Sequence, residues 1–380
     1  MAVIAFVLLT YREDHPSGIE RAIASLAEGL RRAGHEAFTV ASGPAHPSDG
    51  PDVERLTSVV LPRPALDSDV LDALKDPGPV TEETRAVLTR RGADVVCWGA
   101  PVWGLGHLHP APQGAVTALM AHNAIRPRSA ATWAQAISAA DVVLPASSYL
   151  LDAARESGHD TGKWTVLPNA LLAPVTPPGY QEREQLRCEG PLRLVARAVP
   201  GKGQAAFLRA MPEGWRRPVE VVLAEADFEF TRGETARALA DCRAERERRP
   251  GLVRILPALP WRDVPPFLAG AALTPVTSLE PETFSFVAAE SLSAGTPVTA
   301  LDIGYVPRLL GPAGAITPFA SGMPGMWGAV IRLLADHDAY HAACLAAPAR
   351  VAAHTPERAA EVFLAAVGQS RSPAARRDLN

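Results

Sequence analysis

The 380-residue chain carries four cysteines, Cys97, Cys188, Cys242 and Cys344, and no two of them form a C-x-x-C pair. That scatter argues against a disulfide scaffold and against the common zinc and redox motifs, and it fits a reduced, cytoplasmic protein. No apolar run is long enough to cross a bilayer. The apolar start, residues 1–11, has neither a basic leader nor a small-residue cleavage site, so no signal peptide is expected. Positive charge is not in excess: 37 Lys and Arg stand against 41 Asp and Glu, a net charge of -4, which leaves no basic footprint for nucleic acid. The G-x-S-x-G elbow, the P-loop and the G-x-G-x-x-G fingerprint are all missing, and with them the usual signs of serine hydrolases, NTPases and dinucleotide enzymes.

What is present is globular material: 47 % hydrophobic and 21 % charged residues, enough apolar surface for two cores. Val3–Leu9 is apolar throughout, as buried parallel strands are. After a polar turn through Ser17 and Gly18, Ile19, Ile23, Leu26 and Leu30 repeat at helical spacing, Gly34 closes the helix, and Glu36–Ala41 forms the next strand. Further strands are expected at Ala93–Trp98, Val116–Ala121, Asp141–Leu144 and Thr165–Asn169, with a short helix near Ser68–Leu74 in the proline-rich stretch 42–85. Residues 171–190, with Pro177-Pro178-Gly179 and a charged run, read as a linker. Strands resume at Leu192–Ala196 and recur near Val219–Leu223, Val253–Leu256, Leu273–Val276 and Val298–Leu301, before closing helices at Met326–Leu334 and Glu357–Val367. The expected organisation is α/β throughout: a first domain over 1–172, a second over 173–370 with its last helix free to pack back on the first, and a polar tail at 371–380.

In open α/β sheets ligands collect beyond the carboxyl ends of the strands. Arg197-Ala-Val-Pro-Gly-Lys202-Gly203 leaves one strand and opens a helix at Gln204. An arginine fork, a lysine point charge and helix N–H groups all suit a diphosphate, although the segment alone reads equally well as two solvated loop cations. Glu282 and Glu290 are eight positions apart, about 12 Å of rise on a continuous helix, so they would serve two ends of an extended, hydroxyl-rich ligand. Glu290 stands among Phe286, Val287, Ala289 and Ala294, where an unsatisfied carboxylate is costly. His122 follows a strand directly and suits a sugar hydroxyl or developing charge, as it would suit a structural role. Trp98 and Trp103 could stack on a ring or fill a core. His107-Leu-His109 looks like half a metal site, but no acid or cysteine stands near it, and no metal is assigned.

Taken in order, these segments resemble the GT-B retaining glycosyltransferases of family GT4 over nearly the whole chain. The resemblance rests on Ser17-Gly18-Ile-Glu-Arg, on His122, on Val166-Leu-Pro-Asn169, on Arg197 with Lys202-Gly203, and on an E-x7-E motif from Glu282 to Glu290 continued by Ala294-Gly-Thr-Pro-Val298. It implies two Rossmann-like domains whose parallel sheets face each other across a cleft. Arg197 and Lys202 would then hold the donor diphosphate, Glu282 the donor sugar beside the Thr283-Phe284-Ser285 backbone, and Glu290 the ribose. Gly18 would let the N-terminal loop come close, and His122 would sit near the reacting carbon. The resemblance thus implies four catalytic residues, His122, Glu282, Arg197 and Lys202, with acceptor contacts sought among Tyr11, His15, Trp98, Trp103 and Asn123. It further implies a nucleotide-sugar donor, a small-molecule acceptor, no required cofactor or metal, and an assembly that could be a homodimer. Three departures stand out: Thr283-Phe284-Ser285 where the family often has Gly-Phe-Gly, Ser17-Gly18 where it often has Gly-Gly, and Ala170 where glycine usually follows the asparagine. Two rival readings are an inverting GT-B enzyme with a base near His15 or His122, and a nucleotide-sugar binder without turnover.

Overall fold

The computed structural model describes the chain except residues 13–16, 44, 48, 100, 102–110, 126–129, 173, 174, 226 and 371–380. The described residues fall into two compact units. One takes in residues 1–15, Ile19–Ala170 and the chain again from His354; the other takes in residues 16–18 and Leu171–Ala353. None of the helices among the described residues is long and apolar enough to cross a membrane.

The first unit contains β1 (Val3–Val7), α1 (Gly18–Arg32), β2 (Glu36–Ser42), β3 (Val53–Leu56), the two-residue β4 (Ala65–Leu66), α2 (Asp67–Ala73), α3 (Gly78–Arg90), β5 (Val95–Trp98), β6 (Val116–Ala121), α4 (Ala130–Ala139), β7 (Val142–Pro145) and α5 (Ser148–Glu156). Its sheet runs β3-β2-β1-β5-β6-β7, all parallel. The strands are apolar because both faces are covered: Ile4 to Val7 are fully buried. α1 crosses with Ile23, Leu26 and Leu30 inward. It ends in a Schellman motif, with Gly34 N–H donating to Arg31 O and His35 N–H to Leu30 O, both at 3.0 Å.

The second unit contains α6 (Tyr180–Glu189), β8 (Leu192–Arg197), α7 (Gln204–Arg209), β9 (Val219–Ala224), the two-residue β10 (Phe228–Glu229), α8 (Glu234–Arg248), β11 (Val253–Leu256), α9 (Val264–Ala269), β12 (Thr274–Val276), α10 (Phe286–Ser293), β13 (Val298–Leu301), α11 (Val306–Leu310), β14 (Gly314–Thr317), α12 (Gly322–Ala335) and α13 (His337–Val351). Two parallel ribbons, β11-β9-β8 and β12-β13-β14, meet at a single bridge, Leu192 to Leu273. The resulting order repeats that of the first unit: two strands laid outward on one side of the first strand, then three on the other. This is the doubly wound plan, with its switch point between β8 and β12. Phe207 stacks on Trp327 at 4.4 Å and Trp215 meets Trp327 edge-on at 5.0 Å, anchoring α7 and α12 to this sheet. α14 (Pro356–Ser370) belongs to the first unit, where its buried Phe363 lies 6.2 Å from the Phe6 ring.

Two sequence expectations need correction. Thr165–Asn169 does not form a sheet strand; it runs beside β7 with Thr165 N–H on Val143 O and Leu167 N–H on Pro145 O, both 2.9 Å, and Pro168 offers no donor to continue the ladder. Most of the supposed linker is the helix α6. It shows almost no apolar periodicity because its buried side chain is an arginine: Arg183 is 3 % exposed and donates to Ala271 O (3.0 Å), Ala294 O (2.6 Å) and Thr296 Oγ1 (2.7 Å). Removing it leaves two buried carbonyls and a hydroxyl without that donor. Arg183→Ala is therefore expected to destabilise the second unit by about 2–4 kcal/mol, and Arg183→Lys by nearly as much because it cannot span the three acceptors. Differential scanning calorimetry checks both; an unchanged profile for the alanine variant contradicts the anchoring role.

Candidate active site

Chemistry gathers at the switch point of the second unit. β8 ends at Arg197, and the chain turns at once: Lys202 N–H donates to Val199 O and Gly203 N–H to Pro200 O, both at 3.0 Å, closing a 3-10 turn over Pro200–Lys202. Gln204 Nε2 ties this turn back to Arg197 O at 2.8 Å. The loop after β12 is laced onto the same turn, with Leu279 N–H on Gly201 O at 2.8 Å and Thr277 Oγ1 donating to Lys202 O at 2.6 Å. The fit is tight at Gly203. Its φ is +67°, and a Cβ there would stand 2.2 Å from Thr277 O. Glycine is required on both counts.

This closeness brings Lys202 and Glu282 together. Lys202 Nζ donates to Glu282 Oε1 at 2.5 Å, with side chains 25 % and 15 % exposed. The same oxygen accepts from Ser278 Oγ. Burial pushes the Glu282 carboxyl up, but the charge and hydrogen bond of Lys202, the Ser278 hydroxyl and the Arg197 charge outweigh it, so its pKa lies below the ordinary carboxylate value. The glutamate is an anion at neutral pH. Its backbone is fixed by Tyr305 N–H on Glu282 O at 2.8 Å and by Gly304, where a Cβ would lie 2.5 Å from both Glu282 N and Glu282 O.

Beyond Glu282, Phe284 is buried against Phe286 (5.2 Å, edge-on). Ser285 has φ +78°, ψ +90°, and is the one non-glycine residue with positive φ among the described residues. It occupies the N-cap of α10, its hydroxyl accepting from Ala288 N–H at 3.4 Å. An L residue held in such a region is strained, and strain of this kind persists where the surroundings impose it. Glu290 follows on α10, 3 % exposed. α7 is only six residues long, so Arg197 and Lys202 rather than a long helix supply the positive charge here.

In the first unit, His122 follows β6 directly and is 7 % exposed. Its Nε2 has no hydrogen-bond partner among the described residues. Burial lowers its pKa to about 4, so the imidazole is neutral in ordinary buffers. Asn123 beside it is exposed. Gly18 opens α1 and is exposed. The carbonyl of Tyr11 accepts from Arg55 at 2.8 Å. Trp98 requires a correction: it ends the central strand β5 with no exposed surface, so its ring is core and offers no stacking face to an acceptor. His15 and Trp103 lie outside the described residues, as does His107-Leu-His109.

The structure thus brings Arg197, Lys202, Glu282, Thr283, Phe284, Ser285 and Glu290 into one region of the second unit. It adds residues that motif spacing missed: Gln204, Thr277, Ser278, Gly304 and Tyr305. The rule of strand carboxyl ends would have found Gly304 and Tyr305, since they follow β13. Chemically the region offers two fixed cations for an anion and one pre-ionised carboxylate for hydroxyl donors.

The sequence profile described as Glycosyltransferase Family 4 matches residues 16–171, and that described as Glycosyl transferases group 1 matches residues 192–336. No curated protein matches the chain by sequence. Solved structures do match in fold. HepE of Anabaena, in complex with UDP and glucose, is 17 % identical, with 97 % of this chain and 100 % of that one covered at a TM-score of 0.73. Sucrose-phosphate synthase of Thermosynechococcus elongatus is 18 % identical, with 97 % and 98 % covered at 0.75. AviGT4, a glycosyltransferase involved in avilamycin A biosynthesis, is 18 % identical, with 97 % and 98 % covered at 0.61. The shared fold is GT-B.

Ser285 provides a test of the local geometry. Ser285→Gly is expected to leave UDP affinity within about twofold, because relief of the strained φ offsets a lost cap worth a few tenths of a kcal/mol. Ser285→Val cannot adopt this φ without larger strain and is expected to weaken UDP binding at least about tenfold. Isothermal calorimetry with UDP checks the pair; equal affinities for the two variants would show that the backbone at 285 does not shape the site.

Proposed function

The chain belongs to the family 4, group 1 glycosyltransferases, and on that premise we propose that it moves a sugar from a UDP- or GDP-linked donor to a small-molecule acceptor with retention at the anomeric carbon. One observation carries the reading: at the switch point of the second unit, Lys202 is ion-paired with a mostly buried Glu282, and the Arg197 charge helps to keep that carboxylate ionised. A diphosphate needs fixed cations, and a sugar needs acceptors for its hydroxyl donors; this region offers both at once. HepE, which has been solved with UDP-glucose, favours UDP as the first donor nucleotide to test.

In this reading Arg197 and Lys202 bind the diphosphate. Glu282, with the Thr283–Ser285 backbone, takes the sugar hydroxyls. Glu290 takes the ribose, and Gly18 permits close approach. Tyr11 and Asn123 are candidates for the acceptor, and His15 and Trp103 remain in that set; Trp98 leaves it. Cleavage of the anomeric C–O bond sends its electron pair to the diphosphate, whose developing charge Arg197 and Lys202 stabilise without reorganisation. The acceptor oxygen then bonds to the oxocarbenium-like carbon on the face the diphosphate leaves, and its proton passes to the departing phosphate oxygen. Neither an enzymatic nucleophile nor a metal is required, since the two side-chain cations supply the charge. AviGT4, by its involvement in avilamycin A biosynthesis, makes a natural-product acceptor a reasonable first screen.

His122 weighs against inversion. An inverting enzyme needs a general base that captures the acceptor proton, best matched with a pKa near the working pH. An imidazole lowered to about 4 by burial is a weak base. A neutral His122 instead offers a hydrogen bond to the substrate.

Three outcomes are expected. Lys202→Ala and Arg197→Ala each weaken UDP binding by about tenfold or more in calorimetry; unchanged affinities remove the diphosphate assignment. Glu282→Gln lowers turnover by at least about a hundredfold while UDP binding shifts far less, and an equal loss of both would move Glu282 away from the sugar. Between pH 5 and 8 the rate profile shows no step belonging to His122, because its charge does not change there; a step near 6.5 that disappears in His122→Asn would overturn its neutral role. NMR of the product anomer separates retention from inversion, and nucleotide release separates turnover from mere binding.

A further inference from the structure

Helices α6 and α13 pack together in the second unit, and each presents two potential metal ligands one turn apart: Glu184 and Cys188 on α6, His337 and His341 on α13. One ligand atom from each of Glu184, His337 and His341 lies within 4.8 Å of the others. His341 Nε2 is 2.9 Å from Glu184 Oε2, His337 Nε2 is 3.9 Å from the same oxygen, and Cys188 Sγ is 3.4 Å from Glu184 Oε1. A tetrahedral ion with bonds of about 2.0–2.3 Å sets its ligands roughly 3.3 Å apart. The observed spacings bracket that value, so small side-chain rotations would close the site.

The surroundings are those of a metal centre's outer shell. His337 Nδ1 is 2.8 Å from Asp338 Oδ1, a contact that places the proton on Nδ1 and leaves the Nε2 lone pair toward the cluster. Arg187 donates to both Glu184 oxygens, at 2.7 and 2.6 Å, and is itself held by Leu334 O at 2.7 Å. Each carboxylate oxygen has a second lone pair, so Arg187 can orient Glu184 without blocking coordination. Tyr180 stacks on the His341 ring at 4.3 Å, and its hydroxyl lies 2.9 Å from His337 Nε2. Arg217, which donates to Arg187 O, is the further charged group acting on Cys188.

We propose that α6 and α13 together hold one zinc-class divalent ion, bound by His337 Nε2, His341 Nε2 and Glu184 Oε2. Two imidazoles with a carboxylate select such an ion over magnesium or calcium, which prefer oxygen-only sets. The ion takes the place of two hydrogen bonds, that between His341 and Glu184 and that between Tyr180 and His337, with the remaining imidazole proton of His341 on Nδ1. Its effect is structural. α6 follows the chain's passage into the second unit at Leu171, and the ion would clip that helix to α13 beyond what Arg183 achieves. The site does not involve Arg197, Lys202, Glu282 or Glu290, so it stands or falls apart from the proposed reaction.

The test uses the full chain stripped of metal and titrated with Zn2+ in a calorimeter. One ion per chain is expected. The thermal midpoint is expected to rise with Zn2+. His337 is 46 % exposed, so H337Q leaves the fold intact and is expected to weaken binding at least about tenfold. H337Q/H341Q is expected to abolish binding, with circular dichroism confirming its secondary structure. Absence of saturable Zn2+ binding, or unchanged affinity and stoichiometry in H337Q, overturns the proposal.

Discussion

The site depends on how closely two loops approach at the switch point of one sheet. The turn after β8 and the loop after β12 are laced by two hydrogen bonds, and the contact is so tight that only a residue without a side chain fits at 203. Lys202 precedes that glycine and Glu282 lies in the facing loop. Their meeting follows from the backbone fit and does not depend on long side chains searching for each other. A doubly wound sheet leaves a crevice where its strand order reverses. Here the crevice has been narrowed until two loops touch, and the charges were placed at the point of contact.

The balance of forces on Glu282 shows why the arrangement suits catalysis more than stability. Burial alone would favour the neutral acid. Lys202, Ser278 and Arg197 reverse that preference and keep the carboxylate ionised. A pair this enclosed adds little net stability, since desolvation offsets much of the attraction, yet losing one partner leaves a stranded charge. What it secures is a carboxylate with a fixed position and a settled charge before any ligand arrives. An acceptor of hydroxyl hydrogen bonds that need not change protonation or move is pre-organised in the sense that matters for transfer. His122 is settled in the opposite way: burial, with no charged neighbour acting on it among the described residues, leaves it neutral.

Much of this was legible in the chain, for definable reasons. Buried parallel strands are apolar runs, so β1, β2, β5, β6, β8, β9, β11 and β13 could be read from composition alone. The glutamate pair and the Arg197–Lys202 segment stood at strand ends, where the fold's own rule sends the eye. Other parts left no such mark. α6 is amphipathic in charge and not in apolarity, because Arg183 is its buried residue, so a period search passes over it. α8 is as hard to find by period, because Glu234, Thr235 and Glu245 are among its buried residues. The unusual backbone at Ser285 could not be seen, since serine carries no signal of positive φ. The departure from the glycine often found there looked like a change in the sugar-binding segment, but the backbone turns as glycine would turn, at a cost in strain. Trp98 was ambiguous because a tryptophan at a strand end serves a core or a ligand equally well in sequence; its place in a central strand decides for the core.

The two units share a strand order, yet among the described residues the Lys202–Glu282 pair stands at the switch point of the second. The first strand of the second unit ends in Arg197, and the loop it feeds carries Lys202. The equivalent strand of the first unit ends in Val7 and continues through Leu8 and Leu9, 3 % and 1 % exposed. Across its switch point, β5 ends in the buried Trp98, where β12 leads to Thr277, Ser278 and Glu282. At these two strand ends the first unit is therefore apolar where the second is ionic. An apolar crevice has nothing to balance a diphosphate's charge, and a bare anion there would bear the full desolvation cost. Fold repetition supplies two crevices of the same shape, but the side chains at the strand ends decide which can hold an activated sugar. The argument for donor binding in the second unit thus rests on charge at equivalent positions, and topology alone would not have made the choice.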